Sequence, residues 1–235
     1  MCSSDLTREA FARLFYKGQG LVLVTGPTGS GKTTTLYAAL NLLDRQRLNI
    51  MTMEDPVEYR MKDIIQTQVN YRGGLDFAAA LRGALRQDPD VMLVGEIRDA
   101  ETAAISLRAA LTGHLVLATM HTQDSRSAVA RLLDMECAPY QVAAALNGVL
   151  AQRLVRIPCS CQGGCARCLD SGYYGRTGVF ELLVVNGAVK DAILNSSPLP
   201  PPGVTILDDC RAKLRAGLTD DAQFRQLSLS LEEGQ

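Results

Sequence analysis

The sequence predicts a doubly wound α/β fold, and three observations point to it. Apolar runs at 21–25, 48–53, 91–95 and 115–119, rich in Val, Leu, Ile and Met, show no polar alternation. Helical spacing appears between them. Phe77, Leu81 and Leu85 recur every four residues, as do Leu107 and Leu111, and Val129 stands with Leu132 and Leu133. A glycine loop joins the first run to a helix within 21–40. Strands apolar on both faces and separated by helices imply a parallel sheet covered on both sides.

The first element, "LVLVTGPTGSGKTTTLYAAL" (21–40), sets Gly26, Gly31, Lys32 and Thr33 in the pattern G-x-x-x-x-G-K-[ST]. Such glycines let backbone N–H groups curl round phosphates, and the helix N-terminus adds its dipole. Lys32 should then reach the β- and γ-phosphates, and the Thr33 hydroxyl should ligate Mg²⁺. The 48–53 run leads into "EDPVEYR", where Glu54, Asp55 and Glu58 offer a base to polarise an attacking water. A solvated loop acid is the competing reading of Glu54.

"DPDVMLVGEIRD" (88–99) is the next buried strand. Most phosphate-loop enzymes end this strand in an aspartate that helps hold Mg²⁺. Here Gly95 stands there and cannot ligate a metal, so Glu96 is the first acid able to reach Mg²⁺ or a water. The two histidines flank the following strand. His121 ends it, at the edge where α/β sheets place their ligands, and can hydrogen-bond a γ-phosphate. His114, at the other end, reads equally well as structural.

From about residue 157 the character changes. Four of the seven cysteines, Cys159, Cys161, Cys165 and Cys168, fall within ten residues. No signal peptide precedes them and no apolar run is long enough to span a bilayer, so a cytosolic chain with thiols or metal is expected rather than disulfides. "CARC" (165–168) has ligand spacing, "CSC" (159–161) is one residue tighter, and Gly163 and Gly164 allow the pairs to converge. Two readings stand: a closed structural Zn²⁺ site, or free thiols on a shortened loop.

A further strand is expected over 175–185. Helical pieces at 187–195 and 206–216 are split by the prolines of "SPLPPPG" (197–203). The last helix is expected to start near Thr219 as N-cap, with Asp220 and Asp221 suiting its positive end. The divisions are thus a nucleotide-binding core at 1–156, a four-cysteine segment at 157–178, and a C-terminal strand and helical subdomain at 179–235. The formal net charge of −1 lacks the basic footprint of a nucleic-acid binder.

Four elements now stand in order: "GPTGSGKTTTLYAAL", "TMEDPVEY", "LRQDPDVMLVGEIRDAETA" and "LTGHLVLATMHTQDS". Together they resemble the bacterial type II/type IV secretion ATPase family, its GspE-like and PilB-like motors. The resemblance implies a RecA-like core that binds ATP with Mg²⁺ through Gly26, Pro27, Thr28, Gly29, Ser30, Gly31, Lys32, Thr33 and Thr34. It implies catalytic roles as well: Glu54 activates water, Glu96 acts through Mg²⁺ and its waters, and His121 senses the γ-phosphate. An arginine in Arg176's place can approach the nucleotide. The family forms homo-hexameric rings, cytoplasmic and peripheral at the inner membrane. ATP hydrolysis there drives an integral platform protein to extrude pseudopilin or pilin, with no direct contact to nucleic acid.

Gln68-Val69-Asn70 and the cysteine cluster resemble assembly and secretion motors rather than retraction motors. Secretion motors often separate two C-x-x-C pairs by several tens of residues, whereas three intervene here. Family members also carry a domain ahead of the glycine loop. This chain starts about twenty-five residues before that loop, and "MCSSDL" matches nothing recognisable, so a fragment with a foreign or damaged N-terminus is expected. Arg60, Arg72, Arg86 and Arg98 are the candidates to act across a subunit boundary. A truncated ring component with little activity alone, and a nucleic-acid translocase on the same core, are the alternatives.

Overall fold

Every residue of four strands, Gly20–Thr25, Ile50–Glu54, Val91–Val94 and Leu115–Met120, is buried. A run with no polar face is stable only where both faces are covered. The computed structural model describes residues 3–161 and 164–232. In chain order the elements are α1 (Ser3–Phe15), β1 (Gly20–Thr25), α2 (Lys32–Leu40), β2 (Ile50–Glu54), β3 (Ile65–Gln68) and α3 (Phe77–Ala84). Next come β4 (Val91–Val94), α4 (Ala100–Leu111), β5 (Leu115–Met120), α5 (Ser125–Asp134) and α6 (Pro139–Ala145). The chain continues through β6 (Leu146–Pro158), β7 (Tyr173–Val184), α7 (Gly187–Leu194), α8 (Ile206–Arg215) and α9 (Asp221–Glu232).

Among the described residues the strands form one sheet in the order β3-β2-β4-β5-β1-β6-β7. All neighbouring pairs are parallel except β6–β7. Alternate residues of each strand serve opposite faces. Leu21, Leu23, Met92 and Val94 pack with α3 to α7, whereas Val22, Val24, Val91 and Leu93 pack with α1 and α2. A smaller core under β6 and β7 joins Val155, Val179, Ile206, Cys210 and Leu227. Among the described residues no helix is long and apolar enough to cross a membrane.

Two strands are missing from the sequence reading. β3 is an exposed edge strand, "IQTQ", with no apolar run to reveal it. β6 carries Asn147, Gln152 and Arg153, all buried, so its apolar pattern is broken by polar residues that serve the site. β6 and β7 also pair across the expected divisions near 157 and 179, joining the C-terminal piece to the core through the sheet. The cap of α9 shifts by one residue. Asp220 Oδ1 accepts from Gln223 N at 2.9 Å, while the Thr219 hydroxyl donates instead to Arg156 O at 3.1 Å. Asp220 thus takes the role expected of Thr219.

Candidate functional site

Because β1, β2, β4 and β5 run parallel, their carboxyl ends share one edge of the sheet. That edge is where open α/β sheets bind ligands. Gly26 follows β1, Glu54 ends β2, Glu96 lies two residues past β4, and His121 directly follows β5. Residues 28–34 of the loop and helix start, with Glu54, Glu96 and His121, line one cleft of about 710 Å³, together with Leu154 and Arg176.

The phosphate loop is built as its pattern requires. Gly31 is the N-cap of α2 with φ 86°, and a Cβ there would lie 2.8 Å from Gln152 Nε2. Lys32, nearly buried, donates through Nζ to Gly26 O at 2.8 Å and Pro27 O at 3.0 Å. Burial pushes its pKa down; the Glu96 charge opposes that shift and Arg153 adds to it. Gln152, on β6, braces the loop from behind. Its Nε2 donates to Ser30 O at 2.7 Å, and its Oε1 accepts from Thr35 Oγ1 at 2.7 Å. Arg153, also buried, donates through Nη2 to Gln123 O and Oε1.

The two acids differ in environment. Glu54 is only 2% exposed, so it is no solvated loop acid. It accepts hydrogen bonds from Tyr37, Thr52 and Gln66. Asp55 and Glu58 line the cleft but are exposed. Glu96 accepts from Arg98 Nε at 2.6 Å, and its Oε1 lies 3.0 Å from His121 Nε2. Gly95 has a steric reason to be glycine. A Cβ there would meet Met53 O at 3.0 Å, Phe77 Cε1 at 3.2 Å and Glu54 Cα at 3.3 Å. A side chain at this position would therefore require the strand tip that carries Glu54, or the Phe77 ring, to give by a few tenths of an ångström.

Burial lowers the pKa of His121 below the ordinary 6.5, and the Lys32 charge adds to that more than Glu96 offsets it. The ring is neutral at neutral pH, so Nε2 must carry the proton it donates to Glu96. Folding therefore disfavours protonation here. This stabilising contribution is complete above pH ~6.5 and is lost as pH falls through the lower folded value. In an NMR titration the His121 ring is expected to titrate below 6.5, and Lys32→Ala to raise its midpoint. A midpoint at or above 6.5 in the parent chain contradicts this electrostatic picture.

The remaining candidates divide between the cleft and the surface. His114 Nδ1 lies 3.0 Å from Ala109 O at the end of α4, the structural alternative. Of the four arginines, Arg98 lines the cleft; Arg60 donates to Gln66 O, and Arg72 and Arg86 lie on the exposed surface.

At the tip of β6 and β7 the four cysteines converge. Their sulfurs all lie within 4.8 Å of one another, with Cys159–Cys165 at 3.9 Å, Cys161–Cys168 at 3.6 Å and Cys165–Cys168 at 3.7 Å. Zn–S bonds of about 2.3 Å at tetrahedral angles separate sulfurs by about 3.8 Å. The donor set thus fits a tetrahedral Zn²⁺, despite the tight "CSC" spacing. Gly164 turns the chain with φ 131°, and Gly163 lies outside the described residues.

A family model described as type II/IV secretion system protein matches residues 1–217. The chain belongs to this family. The type II secretion system protein E of Dickeya dadantii (strain 3937) is 46% identical over 248 aligned residues, covering 92% of this chain and 50% of that protein. The type IV pilus assembly ATPase PilB of Thermus thermophilus is 42% identical, covering 96% of this chain and 28% of that protein. A crystal structure of the pilus retraction motor PilT with bound ADP shares the RecA-like fold, with TM-score 0.74 and 32% identity over 92% of this chain and 63% of that one. The chain spans about half the length, or less, of these two curated relatives.

In this secretion-system protein, three residues that line the cleft or support it from behind carry no signal in a motif reading. Tyr37 reads as part of an apolar helix face. Gln152 and Arg153 stand far downstream of the loop they support. Their one available signal was the interruption of the apolar run "GVLAQRLV" by two polar residues.

Proposed function

We propose that the chain is an ATP-hydrolysing motor subunit of a type II secretion or type IV pilus-assembly system. One observation supports this above the others: the phosphate loop, both acidic strand tips and His121 face a single cleft. In this reading the amides of the 26–31 loop and Lys32 hold the phosphates, with Thr34 at the cleft wall. Glu54 takes the proton of the attacking water, and His121 responds to the γ-phosphate. Thr33 and Glu96 are the oxygen donors that would hold Mg²⁺, a cation suited to such ligands, which neutralises phosphate charge. Arg176 approaches the nucleotide from β7.

By the same reading the subunit works in a homo-hexamer, cytoplasmic and peripheral at the inner membrane, where it drives a platform protein of the secretion or pilus system. The alternative is a ring component with little activity alone. A nucleic-acid translocase is disfavoured by the net charge of −1. ATPase activity measured across protein concentration separates these. Specific activity that rises with concentration is expected for ring assembly, and flat, near-zero activity overturns the motor reading.

Cys159, Cys161, Cys165 and Cys168 would hold a structural Zn²⁺ that closes the β6–β7 tip. Freshly purified, reduced protein is expected to contain one zinc per chain by X-ray fluorescence, and a chelator should lower its melting temperature. Absence of stoichiometric metal would leave the free-thiol reading.

A further inference from the structure

Tyr37 is 1% exposed and sits on α2, five residues after Lys32. An α-helix rises about 1.5 Å per residue, so this phenol lies roughly one and a half turns behind the phosphate cation. Its O–H donates to Glu54 Oε2. The other carboxylate oxygen, Oε1, accepts from Thr52 Oγ1, and from Gln66 Nε2 at 3.3 Å. Gln66 Nε2 also lies 3.4 Å from the Tyr37 hydroxyl, which draws the three donors into one cluster.

A carboxylate offers about four lone-pair directions, two on each oxygen. Thr52 donates to Oε1, and Gln66 Nε2 approaches the same oxygen at 3.3 Å while also donating to Tyr59 O at 3.1 Å. Tyr37 fills one on Oε2 and leaves the other open. None of these donors is charged, so the buried carboxylate is held by hydrogen bonds alone, and truncating one shifts the balance that fixes its direction.

We propose that Tyr37 is a positioning residue for Glu54: its phenol aims Oε2, which keeps a lone pair open, at the water that attacks the nucleotide. This rests on the reading of Glu54 as the water-activating group. In the step it serves, the water oxygen bonds the γ-phosphorus while the water's proton passes to Oε2. The bond from that phosphorus to the β–γ bridging oxygen breaks, leaving ADP and phosphate. The phenol stays a donor throughout, because burial and then the bond to Glu54 push its pKa beyond the ordinary tyrosine range.

Tyr37→Phe removes the O–H and keeps the ring, which packs edge-on against Tyr59 with centroids 4.7 Å apart. Single-turnover ATP hydrolysis by the full chain is expected to slow tenfold to a hundredfold, with nucleotide Kd within twofold of the parent. In a Glu54→Gln background the same change is expected to slow hydrolysis by less than a further twofold, because a residue acting through another has nothing left to act on. A parent-like rate for Tyr37→Phe beside an impaired Glu54→Gln overturns this proposal alone, as does a full additive loss in the double variant. A parent-like rate for Glu54→Gln overturns the assignment of Glu54 itself. Should Tyr37→Phe fail to fold, 3,5-difluorotyrosine at position 37 keeps the donor and strengthens it. Hydrolysis should then slow at least threefold at unchanged Kd, and an unchanged rate counts against the proposal.

Discussion

Glu54→Gln is expected to bind ATP within about threefold of the parent affinity and to hydrolyse it at least a hundredfold more slowly. A positioned general base contributes roughly 10²–10⁴ in rate, and the amide that replaces it cannot take a proton from water. Binding should survive because the side chain touches Tyr37, Thr52 and Gln66 rather than the phosphate loop. Folding should survive as well. The new amide can place its oxygen toward Thr52 and Gln66 and its NH₂ toward Tyr37, whose hydroxyl can accept as well as donate. Glu96→Gln is expected to bind and slow in the same manner, since Glu96 lines the cleft beside His121. Equilibrium binding and single-turnover hydrolysis, measured on the same samples, check both. Rates near the parent for the two variants would refute the assignment of the acids.

Lys32→Ala acts on the other half of the site. Its ammonium, held now by two loop carbonyls, is the cation within the loop that can meet β- and γ-phosphate oxygens. A hydrogen bond to a charged group contributes about 1.5–3 kcal/mol, so affinity should fall by about one to two decades. Isothermal titration with ADP and with a non-hydrolysable ATP analogue reads the loss directly. The carbonyls of Gly26 and Pro27 can exchange the ammonium for water, so the fold should tolerate the change. An affinity within threefold of the parent would mean the amides hold the phosphates unaided.

The two variants separate grip from chemistry, and the separation reflects how the site is encoded. The phosphate loop was legible because its parts are contiguous: residues 26–34 carry glycines, lysine and threonines in one turn between strand and helix. Glu54, Glu96 and His121 were legible one at a time, each as the polar end of an apolar run. Their meeting at one site was expected from the strand ends and the family resemblance, but their contacts depend on the parallel register of β2, β4, β5 and β1. Gly95 shows the difference. The sequence marks it as an unusual glycine, whereas the crowding by Met53 O and Glu54 Cα explains it.

Other features escaped because their partners lie far away along the chain. Tyr37 meets Glu54 seventeen residues on, and its helix pattern reads as plain core. Gln152 reaches back 122 residues to Ser30, so no local window contains both. β3 escaped because an edge strand needs no apolar face. For the cysteines, spacing left zinc and free thiols both open, and only the folded separations, near 3.6–3.9 Å, match a tetrahedral cage.

Local chemistry in the chain was therefore enough to establish an α/β core and to mark the glycine loop after its first strand as the candidate phosphate site, since strand periodicity and loop composition are short-range properties. Tertiary structure alone decided which acid is buried, which phenol holds it, what braces the loop from behind, and that four thiols meet. Those are contacts between residues that sequence holds apart, and they form only when strands of fixed register bring their carboxyl ends to a common edge.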